Sequence, residues 1–276
     1  MSLSPAAVVD VWLTPPRFPL PALALPPERR AFALRPEPLP AFAHARSHEA
    51  LGVGKELAAS VWGESEKKAL LVHGWGGEAR QLGAWIAPLL AGGYEVWAGD
   101  APAHGRSEGT LSSAPANAAL LVALGNEAGG PFDLIVAHSL GALVVALALS
   151  EGLAARRIVF LAPCCYFLDD LLAVARRLGW PTERDAELLE YFTRTLFTSH
   201  YARPDLLGAL ERIAQPPPLT IFHDPKDDFV PIEEARLIAA HWPGATLHET
   251  PRVGHSRILF ARKVIEAALR EPDAVQ

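Results

Sequence analysis

Short, nearly continuous apolar runs alternate with longer segments of helical period along most of this chain. Between residues 67 and 163 the runs KKALLVHG, YEVWAGD, FDLIVAHS and RRIVFLAP read as strands buried on both faces. Between them, ARQLGAWIAPLLAGG, ANAALLVALGNEAGG and LGALVVALALSEGL carry apolar residues at helical spacing. Such alternation predicts right-handed βαβ crossovers, hence an α/β fold with a doubly wound, mostly parallel sheet. After Pro163 the pattern breaks. CYFLDDLLAVARRLGW, ERDAELLEYFTRTLF and PDLLGALERIA are helical in period with no strand between them, and strand and helix then return in PLTIFHD, IEEARLIAAHW, ATLHET and SRILFARKVIEAALRE. The expected division is therefore a core of residues 46–163 and 216–276, interrupted by a helical cap insertion, 164–215, over the carboxyl ends of the strands.

The first 45 residues are different. Ten of the 25 prolines fall in the first forty positions. Proline fixes φ and removes a donor, so this segment is expected to be an extended arm on the main body, preceded by a helix at SPAAVVDVWL. ARSHEAL and KELAASVW flank the turn GVGK and predict an antiparallel hairpin.

Half of the 276 residues are apolar, a fifth are charged, and the net charge is −6. This excludes a disordered chain and offers no basic surface for nucleic acid. The expected partner is a small molecule. The N-terminus lacks a basic region ahead of its apolar stretch, which Asp10 interrupts, so no signal peptide is expected. Cys164 and Cys165 are adjacent, with Cα atoms about 3.8 Å apart, too close for an unstrained disulfide. Free thiols fit a reducing, cytoplasmic setting.

One run, LIVAHSLGALVVALAL, spans residues 134–149 and is interrupted by His138, Ser139 and Gly141. It is shorter than the roughly 20 residues of a membrane span, and Asp133 and Glu151 bound it. It reads instead as strand, turn and helix, with Ser139 at the joint. Four other polar loops follow predicted strands: VHGWGG (72–77), GDAPAHGRS (99–107), HDPKDDFVP (223–231) and VGHS (253–256). In open α/β sheets ligands bind beyond the carboxyl ends of the strands, where such loops converge.

These five loops, in this order, resemble the α/β-hydrolase family over roughly residues 45 to 270. HGWGG is similar to the oxyanion loop, DAPAHGRS to the DxPGHGxS loop, AHSLG to the nucleophile elbow, HDPKDDFVP to the acid loop and VGHS to the histidine loop. The resemblance implies Ser139 as nucleophile, His255 as general base and then acid, and the backbone amides of Trp75 and Leu140 as oxyanion hole. Three carboxylates compete to orient His255: Asp224, Asp227 and Asp228. Aligning on Val230 and Pro231 selects Asp227. His73 and His104 are expected to hold neighbouring backbone and His138 to face away from the elbow, all three structural rather than reactive, and His44 with His48 lacks a third ligand, so no metal is expected. The sequence departs from the family pattern at Ala137, Ala103 and Asp224, where glycines are usual. The implied activity is a serine hydrolase, carboxylesterase-like and without a cofactor, that cleaves an ester or thioester of a small, partly apolar substrate through an acyl-enzyme. The alternative is a protein of the same fold that binds a small molecule with little or no turnover.

Overall fold

A computed structural model describes residues 3–16, 25, 28–42, 54–196 and 203–270. Among these residues eight strands form one sheet: β1 (Arg30–Leu34), β2 (Leu57–Trp62), β3 (Lys68–Val72), β4 (Glu95–Gly99), β5 (Leu134–His138), β6 (Ile158–Leu161), β7 (Leu219–His223) and β8 (Thr246–Glu249). Their spatial order is β1-β2-β4-β3-β5-β6-β7-β8. The first two pairings, β1 with β2 and β2 with β4, are antiparallel, and the remaining strands run parallel. The expected α/β architecture, mostly parallel and doubly wound, is present.

The helices are α1 (Pro5–Trp12), α2 (Gly83–Ala91), α3 (Ala114–Ala128), α4 (Gly141–Ser150), α5 (Leu168–Arg177), α6 (Asp185–Leu196), α7 (Leu206–Leu210), α8 (Ile232–His241) and α9 (Arg262–Leu269). The strand period of two divides the apolar runs between two layers. Leu70, Val72, Ile135 and Ala137 face α3 and α4, while Leu71, Val96, Val136 and Val159 face Trp85, Ile86 and Leu89 of α2 and Val264, Ile265 and Ala268 of α9. Each buried Val, Leu or Ile among them contributes about 1.5–3 kcal/mol by burial, which is why the central strands are apolar on both faces.

The predicted hairpin needs correction. KELAASVW does form β2, but its antiparallel partner is β1, in the proline-rich stretch, with Arg30 opposite Val61 and Leu34 opposite Leu57. Its other edge pairs with β4, from Ala59 opposite Gly99 to Trp62 opposite Val96. Both edges of β2 are therefore taken, and ARSHEAL lies outside the described residues. Prolines flank RAFAL without interrupting it, and as an edge strand it needs hydrogen bonds on one side only.

Helix α1 forms where SPAAVVDVWL predicts it. Ser4 Oγ accepts from the Ala7 amide at 3.2 Å, and Pro5 occupies the first turn. It packs against α5 and α6, whereas α7 packs against α4 and α8. Among the described residues no helix is long and apolar enough to cross a membrane.

Candidate active site

Strand β5 ends in His138, and the chain then turns sharply at Ser139 into α4. Ser139 has φ +52°, a conformation that costs an L-residue on the order of 1–3 kcal/mol. Three bonds hold it, two of them from a neighbouring segment: its amide donates to the Leu161 carbonyl at 3.0 Å, and its carbonyl accepts from Cys164 at 3.1 Å and, within the turn, from Ala142 at 3.0 Å. Small residues make room for this turn. A Cβ on Gly74 would lie 3.0 Å from the Ser139 Cβ, and one on Gly141 would lie 2.9 Å from the His73 carbonyl. The side chain of Ser139 remains partly exposed. Among the described residues, the amides of Trp75 and Leu140 donate to no acceptor. Both sit beside Ser139, one through Gly74 and the other as the next residue, so two N–H groups are free to meet an oxygen there.

In the loops after β7 and β8, His255 Nδ1 donates to Asp227 Oδ2 at 2.8 Å. The other oxygen of Asp227 accepts from the amides of Phe229 at 2.8 Å and Val230 at 3.0 Å. Burial alone would raise the Asp227 carboxyl, but the bonds from His255 and these amides outweigh it and hold the group below the usual carboxylate range. Asp227 thus remains a charged acceptor that fixes the tautomer of His255, leaving Nε2 as its basic atom. His255 is brought to the elbow through His138, whose Nε2 donates to the His255 carbonyl at 3.0 Å and whose ring lies 4.7 Å from the His255 ring. Among the described residues no hydrogen bond joins Ser139 to His255; such bonds commonly tighten only when substrate is bound.

The two other acids of the loop do different things. Asp224 is buried and accepts from the amides of Lys226 at 2.9 Å and Gly254 at 2.5 Å. Burial pushes its carboxyl up, and the bonds from these amides and from those of Arg252 and Val253 hold it down nonetheless. It therefore ties the histidine loop to the acid loop. Asp228 is exposed.

His73 and His104 hold neighbouring backbone, as expected. Nε2 of His73 accepts from the Ala101 amide at 3.0 Å, so Nδ1 carries the proton and donates to the Gly74 carbonyl at 2.8 Å. His104 repeats the arrangement between Gly76 and Pro102, with its Nε2 accepting at 3.0 Å. These two rings bind the loop of Trp75 to the loop DAPAHG. Burial lowers the pKa of His73, and it lowers that of His138 to about 3, so both stay neutral near pH 7. His44 and His48 lie outside the described residues, and among the described residues no group of three His, Cys, Asp or Glu could hold a metal ion.

Three supporting residues were not singled out from the sequence, although the first of them, Asp100, opens the DAPAHGRS loop. Buried Asp100 accepts from the amides of Ala79 and Arg106, which fixes both oxyanion-side loops, and Glu234 of α8 accepts from Cys165 and Tyr166. Trp12 of α1 stacks on Trp75 with ring centroids 5.7 Å apart. A lone Trp on an N-terminal helix carries no motif; the amphipathic helix around it predicts only that some face is covered.

The sequence matches the model of the alpha/beta hydrolase family over residues 69–267. Among curated proteins none matches at a significant level. Solved structures do. An esterase from Pyrococcus furiosus superposes with a TM-score of 0.61 at 19% identity, over 92% of this chain and 95% of that one. The thioesterase domain of the curacin biosynthetic pathway gives 0.57 at 18%, over 78% and 96%. A monoacylglycerol lipase from Paleococcus ferrophilus gives 0.57 at 20%, over 78% and 98%. At these identities the likeness is one of fold.

Proposed function

Because the chain belongs to the alpha/beta hydrolase family, we propose that it is a serine hydrolase that cleaves an ester or thioester of a small, partly apolar substrate through an acyl-enzyme. The observation that carries this reading is the 2.8 Å bond from His255 to the buried Asp227 at the rim of the strained Ser139 turn. A surface histidine has no need of a desolvated carboxylate behind it; a general base does, because the carboxylate holds the tautomer and stabilises the imidazolium formed on proton transfer.

The steps follow from these positions. His255 Nε2 takes the proton of Ser139 Oγ as that oxygen attacks the acyl carbon. The carbonyl oxygen becomes an anion and receives the free amides of Trp75 and Leu140, at the N-terminus of α4. As the carbonyl re-forms, the bond to the leaving alcohol or thiol breaks, and His255 returns the proton to it. Water then attacks the acyl carbon as His255 takes one of its protons, and as the bond to Ser139 Oγ breaks and the acid leaves, His255 returns that proton to Ser139 Oγ. The helical segment 164–215 would select among substrates from above the site. The esterase, thioesterase and lipase among the structural neighbours all break acyl–oxygen or acyl–sulfur bonds, which supports the same choice here.

A fluorophosphonate probe with intact-mass detection tests the reading, alongside turnover of p-nitrophenyl acetate. One label per chain and measurable turnover are expected, both abolished in Ser139→Ala. Labelling that survives the substitution would move the nucleophile elsewhere. Absence of both labelling and turnover in the wild type would favour a protein that only binds its ligand.

A further inference from the structure

The N-terminal helix lies outside the family match, yet it reaches the site. Its ends are fastened to the rest of the fold: Arg184 of the segment leading into α6 donates to the Leu3 carbonyl at 3.2 Å, and the Ser112 amide donates to the Leu13 carbonyl at 2.8 Å. Val8 and Val9 are fully buried between. This fastening presents Trp12 to three aromatic rings. It stacks on Trp75 at 5.7 Å and 17°, leans on Phe167 at 5.5 Å, and meets Phe192 edge-on at 5.2 Å. Phe167 and Phe192 are buried, whereas Trp12 and Trp75 keep part of their surface open, as does Ser139. The open side of the cluster is therefore its tryptophan side.

We propose that Trp12 determines substrate specificity: its indole, stacked on Trp75 beside Ser139, closes the groove that receives the acyl chain and restricts the enzyme to short acyl groups. This rests on the hydrolase reading above. With the substrate oxygen on the amides of Trp75 and Leu140, the leaving group must face His255, which protonates it, and the acyl chain must run the other way. The ring contacts of His255 are with His138 and Phe229, and the cluster around Trp12 includes neither. In the proposed arrangement the cluster, which joins the elbow through Trp75 next to Gly74 and not through His255, takes the acyl side. Trp12 touches the other three rings at once, so an acyl chain of more than a few carbons on that side meets the stacked indoles.

Esters with one leaving group and different acyl chains isolate this effect. We expect Trp12→Ala to raise the ratio of kcat/KM for p-nitrophenyl octanoate to that for the acetate by about tenfold or more, the scale at which apolar pockets discriminate chain length. Trp12→Phe should remain close to wild type. In both variants the fluorophosphonate should still label Ser139. An unchanged ratio, or equal losses on both esters, would overturn the proposal and make Trp12 a packing residue only. Should Trp12→Ala not fold, Trp12→Leu serves the same comparison, and loss of folding there too would overturn it. A wild type that neither labels nor hydrolyses any ester would refute the hydrolase reading and the proposal with it, whereas an active wild type with an unmoved ratio refutes the proposal alone.

Discussion

His138 should make this protein lose stability in mild acid. The ring is 4% exposed, and burial, followed by the charge of neighbouring His255, lowers its pKa to about 3. Nε2 donates to the His255 carbonyl, and Nδ1 has no partner among the described residues, so a second proton would sit on a buried, unpaired nitrogen. In the unfolded chain an imidazole titrates near 6.5. Between about pH 6.5 and 3 the unfolded state therefore binds a proton that the folded state refuses. The folding free energy is unaffected above that window, falls by up to roughly 1.4 kcal/mol per pH unit within it, and falls no further on this account below it. From pH 6 to pH 4 the loss due to His138 is about 2–3 kcal/mol. Urea denaturation at intervals across this range, on wild type and on His138→Gln, measures it. The glutamine amide can still donate to the His255 carbonyl but does not titrate, so its stability should decline less steeply by that amount. Burial also lowers His73 and His223, which leaves a residual slope in the variant. Parallel curves for the two proteins would refute the argument, because they would mean that His138 takes up its proton without unfolding.

Ala103 has φ +62° where the family pattern has glycine, so Ala103→Gly should relieve strain that exceeds the entropy glycine adds to the unfolded chain. A gain of about 0.5–1 kcal/mol, or roughly 1–3 °C in Tm by calorimetry, is expected, and a lower Tm would show that the backbone is unstrained there. Among the acids of HDPKDDFVP, Asp227→Asn should lower kcat on an activated ester by on the order of 10⁴, since the amide favours the wrong tautomer of His255. Asp224→Asn should act mainly on stability, costing about 1–3 kcal/mol as the amides of the histidine loop lose an acceptor, and Asp228→Asn should change little. A wild-type rate in Asp227→Asn would place the orienting carboxylate elsewhere.

The features legible in the chain alone are local ones. Runs such as ALLV, LIVAH and TIFH are apolar on both faces because the sheet is covered on both sides, and that fact is written in each run separately. The five loops could be ordered for the same reason, since each follows its own strand. Contacts between segments distant in the chain depend instead on how those segments pack together. KELAASVW satisfies two neighbours equally well by pattern, and the partner it takes is RAFAL, about 25 residues back, because β2 needs a cover on its outer edge once β4 has taken the inner one. The carboxylates at 224, 227 and 228 are of the same chemical kind within five residues; what distinguishes them is a 2.8 Å distance to a ring 28 residues away. Trp12 and Trp75 are 63 positions apart and share no motif, and they meet because α1 is fastened at both ends to segments that fold far from it in the chain. Period and turn chemistry act over a few residues, whereas these pairings follow from filling one common volume, which no short window of sequence contains.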